Sequence, residues 1–195
     1  MKCEFEARYY PVDPNKIRSL LREAKAKKVS PRENLLRLVY DIDPTIRKFM
    51  RIREGHSTTT LTVKQISDDT QIGGTREQEI SIRGRYMRPL REFFAAFGLS
   101  EGILQETARE TWSLNAGVCG VTHISIDWWP GLHPLVEIEG LSEAAVTETE
   151  RALGLEERFK GDIAALYHHE KGWNKEQLHS IRYLSFDKYP TLLLT

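Results

Sequence analysis

The sequence predicts an α+β fold in which antiparallel strands curl into a polar-lined barrel under flanking amphipathic helices. Three observations carry this. Segments that alternate polar and apolar residues recur between residue 2 and about residue 140. Segments of helical periodicity, with caps, lie between and after them. Along the alternating segments the polar positions pair like with like, carboxylate with carboxylate and arginine with arginine. A sheet with one wet face usually scatters Lys, Thr, Ser and Glu. For any single strand the wet face suffices, but the whole set fits better as the charged lumen of a closed sheet whose apolar face lies outside, under helices.

The chain has 195 residues, 40% hydrophobic and 29% charged, which is enough for one packed domain spanning 1–195 and too apolar for global disorder. Acids and bases balance at 28 each, so a strongly basic nucleic-acid binder is not expected. Cys3 and Cys119 make no disulfide framework and show no reactive context, which points to a cytoplasmic location. The first residues are charged where a signal peptide needs an apolar run, and no stretch approaches the ~18 apolar residues of a membrane span. No membrane partner is expected, and monomer and homodimer stay open.

The elements follow in order. MKCEFEARYY alternates Glu4, Glu6 and Arg8 with Cys3, Phe5 and Ala7, a strand. Asp13 caps a helix with Pro14 in its first turn and Ile17, Leu20, Leu21 and Ala24 at helical spacing. Lys25, Lys27 and Lys28 suit that helix's C-terminal end. RKFMRIREG and TTTLTVKQI form a hairpin about Glu54-Gly55-His56-Ser57. A polar turn, SDDTQIGG, leads to the strand TREQEISIR. Pro89 starts a helix carrying Leu90, Phe93, Phe94 and Phe97, the phenylalanines facing the core, and Gly98 stops it. ETARETWSLN, GVTHISIDWW and PLVEIEG are strands. Ser142 caps a helix closed by Gly154, and DIAALYHHE and NKEQLHSIRYL are helical.

The charged faces give the candidate chemistry. Arg51 and Arg53 flank Ile52, Thr62 and Lys64 flank Val63, Glu77 and Glu79 flank Gln78, and Glu137 and Glu139 flank Ile138. Arg109 shares a face with Thr107 and Thr111, and Asp127 with Ser125 and His123. Carboxylates in such a cluster suit hard divalent ions, and arginine forks suit phosphate oxygens.

These residues resemble the motifs of CYTH-domain proteins, of the triphosphate tunnel metalloenzyme superfamily. EFEAR is similar to that family's ExExK motif, with Arg8 in place of lysine. RIREG and LTVK resemble its RxR and TxK strands, TREQEISI its acidic middle strand, and IDWWPGLHPLVEIEG its aspartate strand leading to ExE. The match runs from residue 4 to about residue 155, in the family's order; 156–195 is a helical C-terminal part. The resemblance implies a closed antiparallel tunnel of about eight strands holding a small-molecule triphosphate. It implies Mg²⁺ or Mn²⁺ on Glu4, Glu6, Asp127, Glu137 and Glu139, and phosphate on Arg8, Arg51, Arg53, Lys64 and Arg109. Glu77 and Glu79 match supporting acids. Lys64, Arg109 and Tyr40 take the catalytic roles, with Tyr40 beside Lys64 orienting or deprotonating water; packing is the other reading of this tyrosine. The activity implied is metal-dependent hydrolysis of an inorganic, thiamine or nucleoside triphosphate. The alternative is an adenylyl cyclase making cyclic AMP and pyrophosphate, and a third reading is a polyphosphate or nucleotide sensor.

The chain departs from the family's KxR motif at Thr107, where a phosphate-binding lysine is replaced; Lys188 is a candidate for a late cation. His168 and His169 are adjacent on a helix, about 100° apart, and suit a solvated face rather than chelation. Of Trp128 and Trp129, which alternate across a strand, at least one is structural and either is able to stack on a ring.

Overall fold

The computed structural model describes residues 2–66 and 73–192. Its strands are β1 (Lys2–Tyr9), β2 (Lys27–Asp43), β3 (Lys48–Glu54), β4 (Thr58–Ile66), β5 (Gly73–Arg83), β6 (Leu104–Asn115), β7 (Val121–Trp128), β8 (Leu135–Gly140) and β9 (Tyr183–Leu184). Its α-helices are α1 (Pro14–Glu23), α2 (Met87–Ala96), α3 (Glu143–Leu153), α4 (Ile163–Lys171) and α5 (Lys175–Ser180). The sheet order is β2-β3-β4-β5-β1-β8-β7-β6-β9, and β2 also pairs with β6. That extra pairing closes eight strands into a ring, uneven about its axis, with every ring pairing antiparallel. Closure leaves the ring without edges.

β2 is the closing strand and the largest departure from the sequence-based expectation. Lys27 and Lys28 do not end the first helix; α1 stops at Glu23 and β2 begins at Lys27. Over 17 residues β2 pairs with β6 at its start and with both β6 and β3 further on. Register shifts around Ser30 bend it through the ring. Its pattern is hard to read because Leu35 and Val39 are apolar on the inner face while Leu36, Leu38 and Tyr40 are apolar on the outer one.

The helices form where their caps predict, with two differences. Asp13, Ser142 and Asp162 accept hydrogen bonds from the first turns of α1, α3 and α4, and Gly154 closes α3 in the left-handed conformation. α2 begins at Met87, two residues before Pro89, because Glu54 on β3 accepts the Met87 N–H at 2.7 Å. That cap comes from a distant strand. NKEQLHSIRYL is helical only to Ser180; Tyr183 and Leu184 then run parallel to β6 as β9, with Leu104 N–H donating to Arg182 O. The expected turn SDDTQIGG lies outside the described residues from Ser67 to Ile72, and Gly73 and Gly74 already belong to β5.

Two of the three core clusters lie outside the ring, and the third reaches the cavity at one end. Ala7, Ile124, Ile126, Val136 and Ile138 pack under α1 and α3, with Phe5 partly buried beside them. Leu38, Tyr40, Met50 and Ile52 pack under α2. Leu132, Leu135, Leu166 and Tyr167 form a third cluster under α4 and α5. Phe94 packs into the α2 cluster, but Phe93 and Phe97 stay exposed, contrary to the expectation for all three. They share a helix face with each other, their rings 5.0 Å apart, rather than with the sheet. Among the described residues no helix is long and apolar enough to cross a membrane.

Candidate functional site

Period-two geometry decides what points inward. Residues that share a face of a strand stand beside their cross-strand partners. The pairs Glu6 with Glu139, Arg8 with Glu137, Arg109 with Asp127, and Lys64 with Glu77 therefore share the ring's inner face. Inside lies a cavity of about 670 Å³. Its wall holds Glu4, Glu6 and Arg8 from β1, Arg51 and Arg53 from β3, and Lys64 from β4. Glu77, Glu79, Arg109, Glu137 and Glu139 add to the charged wall. Asp127 sits just behind, buried against Arg109. A smaller cavity of about 190 Å³ shares Arg53 and Arg109 and continues toward hydroxyls at Ser30, Ser57, Thr60 and Thr111.

The charges are paired unevenly. Glu137 is the hub: it accepts from Arg8 Nε at 2.7 Å and from Arg109 Nη2 at 2.7 Å. Arg109 also forks onto Asp127 at 2.6 and 2.5 Å, and Arg8 reaches Glu6 at 2.6 Å. Burial opposes ionisation of Glu137, but the two guanidiniums hold its carboxyl well below the usual range. Burial pushes the Asp127 carboxyl up to about 6 against the pull of Arg109, and the charge of Glu137 adds to the rise. On the opposite wall Lys64 Nζ stands 2.5 Å from Glu77, while Arg51 and Arg53 reach Glu79 only at 3.7 and 3.8 Å. Those long contacts leave both arginines with donors to spare.

Of the five expected metal-side acids, Glu4 and Glu139 have no hydrogen bond or ion pair among the described residues. Burial, with the charges of Glu77 and Glu139, raises the Glu4 carboxyl, and burial raises that of Glu6. An excess of carboxylate oxygens that repel one another is a donor set suited in kind to a hard divalent cation. Among the described residues, no three acids or histidines already converge as metal ligands. The remaining two of the expected metal-side acids, Asp127 and Glu137, serve as counter-ions of Arg8 and Arg109.

Tyr40 requires a correction. It does not stand beside Lys64. Its strand neighbours Val39 and Asp41 line the cavity, so Tyr40 faces outward and is fully buried under α2, with the Phe94 ring at 5.4 Å. Burial and the nearby Glu101 push its phenol up to about 12, the opposite of what a general base needs. Tyr40→Phe should therefore leave turnover within about twofold of the parent, whereas Tyr40→Ala should cost about 3–5 kcal/mol of stability in urea unfolding. A large loss of turnover in Tyr40→Phe at unchanged stability would contradict this placement.

Lys188, His168, His169 and Trp128 fall outside the tunnel. Lys188 is exposed, its Nζ over the Tyr189 ring. His168 and His169 are exposed on α4, as expected. Trp128 packs in the outer core below Arg32, whose guanidinium carbon lies 4.3 Å from the ring centroid. Trp129 instead lines the cavity, near an apolar end made by Ile103, Ile163, Ala164 and Leu178. Thr107 is buried on the inner side of β6 opposite Leu35. Sequence reasoning missed Arg37 and Asp41 of β2, which line the cavity. The available signal was a charge at every fourth residue inside the apolar run LLRLVYD.

No protein-family model matches this sequence, and no curated protein does. Solved structures do resemble it. PH1012 of Pyrococcus horikoshii superposes with a TM-score of 0.67 at 17% identity, over 84% of this chain and 98% of that one. A proposed adenylate cyclase from Vibrio parahaemolyticus also gives 0.67, at 10% identity, over 85% of this chain and 97% of that one. The proposed adenylyl cyclase HpAC1 from Hippeastrum, described as having a dominant triphosphatase activity, gives 0.53 at 13% identity, over 92% of this chain and all of the other. At these identities the likeness is one of fold.

Proposed function

We propose that this chain, which has the triphosphate tunnel fold of the CYTH type, is a divalent-metal-dependent triphosphate hydrolase. The observation that carries the reading is the division of the tunnel wall. Arg51 and Arg53 have only long contacts to acids, across a cavity from the unpaired Glu4 and Glu139. A triphosphate needs cationic donors along its oxygens and a metal to offset its remaining charge. Glu4, Glu6 and Glu139 would hold Mg²⁺ or Mn²⁺, and the ion would supply charge neutralisation at the phosphate oxygens. Arg51, Arg53 and Lys64 would bind and align the chain. Arg8 and Arg109, held rigid by Glu137, would present fixed positive charge where negative charge gathers in the transition state.

The apolar end of the cavity bears on the substrate. Trp129, Ile103, Ile163 and Leu178 offer surface to an organic group joined to the triphosphate. The same observation favours the second reading, an adenylyl cyclase, which needs an adenine site beside the same triphosphate. Incubation with ATP, thiamine triphosphate and inorganic tripolyphosphate, with Mg²⁺ or Mn²⁺, separates them. Phosphate release is the expected result. Cyclic AMP with pyrophosphate would instead establish the cyclase, and neither product from any of the three would overturn both.

A further inference from the structure

The cation that the sequence lacks at Thr107 has a counterpart one strand away. Arg37 on β2 pairs across the sheet with Arg53 on one side and with Gln105, two residues before Thr107, on the other. Its side chain lines the tunnel cavity. It has no hydrogen bond or ion pair among the described residues, and its Nε is buried without a partner. The guanidinium is held against the indole of Trp129, 4.9 Å from the ring centroid. Trp129 Nε1 is also buried without a partner. Arg37 Nε and Trp129 Nε1 are thus two donors, on adjoining side chains of the cavity wall, that the protein itself leaves unsatisfied.

The electrostatics agree. Burial and the charge of Arg51, with smaller pushes from Arg53 and Arg109, take the Arg37 guanidinium down to about 9 against the opposing charge of Glu137. A half-buried cation crowded by like charges, with no carboxylate in contact among the described residues, lowers the stability of the ligand-free protein. Such an arrangement persists where a ligand needs it. Three other cations of the wall are answered within the protein, Arg8 and Arg109 by three acids and Lys64 by Glu77, whereas Arg51 and Arg53 have only long contacts to acids.

We propose that Arg37, braced by Trp129, is a further phosphate-binding cation of the tunnel that stands in for the lysine absent at Thr107 and extends the arginine row of β3 onto β2. This rests on the triphosphate reading above. Arg37 then binds the part of the chain nearest the apolar end, because Trp129 belongs to both surfaces.

Titration calorimetry with inorganic tripolyphosphate, with and without Mn²⁺, tests it alongside ligand-free melting. Arg37→Met keeps an unbranched stem against the indole and removes the charge. Its dissociation constant for tripolyphosphate should rise at least about 10-fold, the loss of one charge-assisted contact. Its ligand-free melting temperature should stay level or rise. Arg37→Lys should recover part of the affinity. If the parent binds tripolyphosphate and Arg51→Gln loses it, but Arg37→Met binds like the parent, the Arg37 assignment fails alone. Failure of the parent to bind at all overturns the triphosphate reading instead. A lowered melting temperature or failure to fold in Arg37→Met, with parent-like affinity retained in Arg37→Lys, would make Arg37 a structural prop of Trp129 and overturn the proposal.

Discussion

Glu137→Gln should destabilise the protein by about 3–5 kcal/mol, read by urea unfolding at pH 7, because it strips a buried counter-ion from two guanidiniums at once. Arg8 and Arg109 meet only through this carboxylate, at 2.7 Å each. A loss of that size is a large part of the ordinary stability of a domain. The pH dependence follows from the sign of the shift. The folded-state value of Glu137 lies below the ordinary 4.5, so its contribution is present above about pH 4.5 and fades as pH falls through the folded value. Asp127 acts in the opposite sense: its folded value near 6, above the ordinary 3.8, adds stability as pH falls from 6 toward 3.8 and no further slope below that. Below about pH 3.8 the parent should thus lose stability more steeply than Glu137→Gln. Parallel curves there would show that Glu137 is not the acid-sensitive hub.

On the proposed metal-dependent reading, Glu139→Gln should do the reverse, sparing the fold and weakening metal binding. Glu139 sits beside Glu6 across β1 and β8, in the cavity, without an ion pair or hydrogen bond among the described residues. Neutralising it relieves repulsion, so the melting temperature without metal should hold or rise. Affinity for Mn²⁺, measured by calorimetry, and turnover of tripolyphosphate should each fall at least about 100-fold, since even outer partners of metal ligands are worth 10–100-fold. Unaltered Mn²⁺ affinity would remove Glu139 from the ligand set. The contrast with Glu137→Gln matters, because the two residues belong to one ExE strand and differ only in what faces them. A double replacement would confuse a folding defect with loss of metal.

Much of the tunnel is legible in the sequence because its strands obey a period of two. EFEAR, RIR, TVK, EQE and VEIE each place their charges on one face, and the structure turns all of those faces inward. The strand β2 resists such reading. Its inner face carries Leu35 and Val39 beside Arg37 and Asp41, so neither face is uniformly polar. Resemblance alone sets Tyr40 beside Lys64, and one position along the strand sends it to the other side of the sheet. Phe93 and Phe97 misled for a related reason: helical spacing shows which residues share a face, not whether anything covers it.

Local pattern by itself determined the strands with like charges, the capped helices and an apolar exterior under them, since these depend on neighbours two to four residues apart. Tertiary structure alone decided the rest. Closure through β2 and β6 set which arginine meets which acid, over separations such as the 129 residues between Arg8 and Glu137. Register then divided chemically similar carboxylates into the buried counter-ions Asp127 and Glu137 and the unpaired Glu4 and Glu139. It also left Arg37, unremarkable in the sequence, as a cation without a paired carboxylate among the described residues. Charge type is a property of each residue, whereas the energy of a charge depends on its partner across the sheet and on how much water remains.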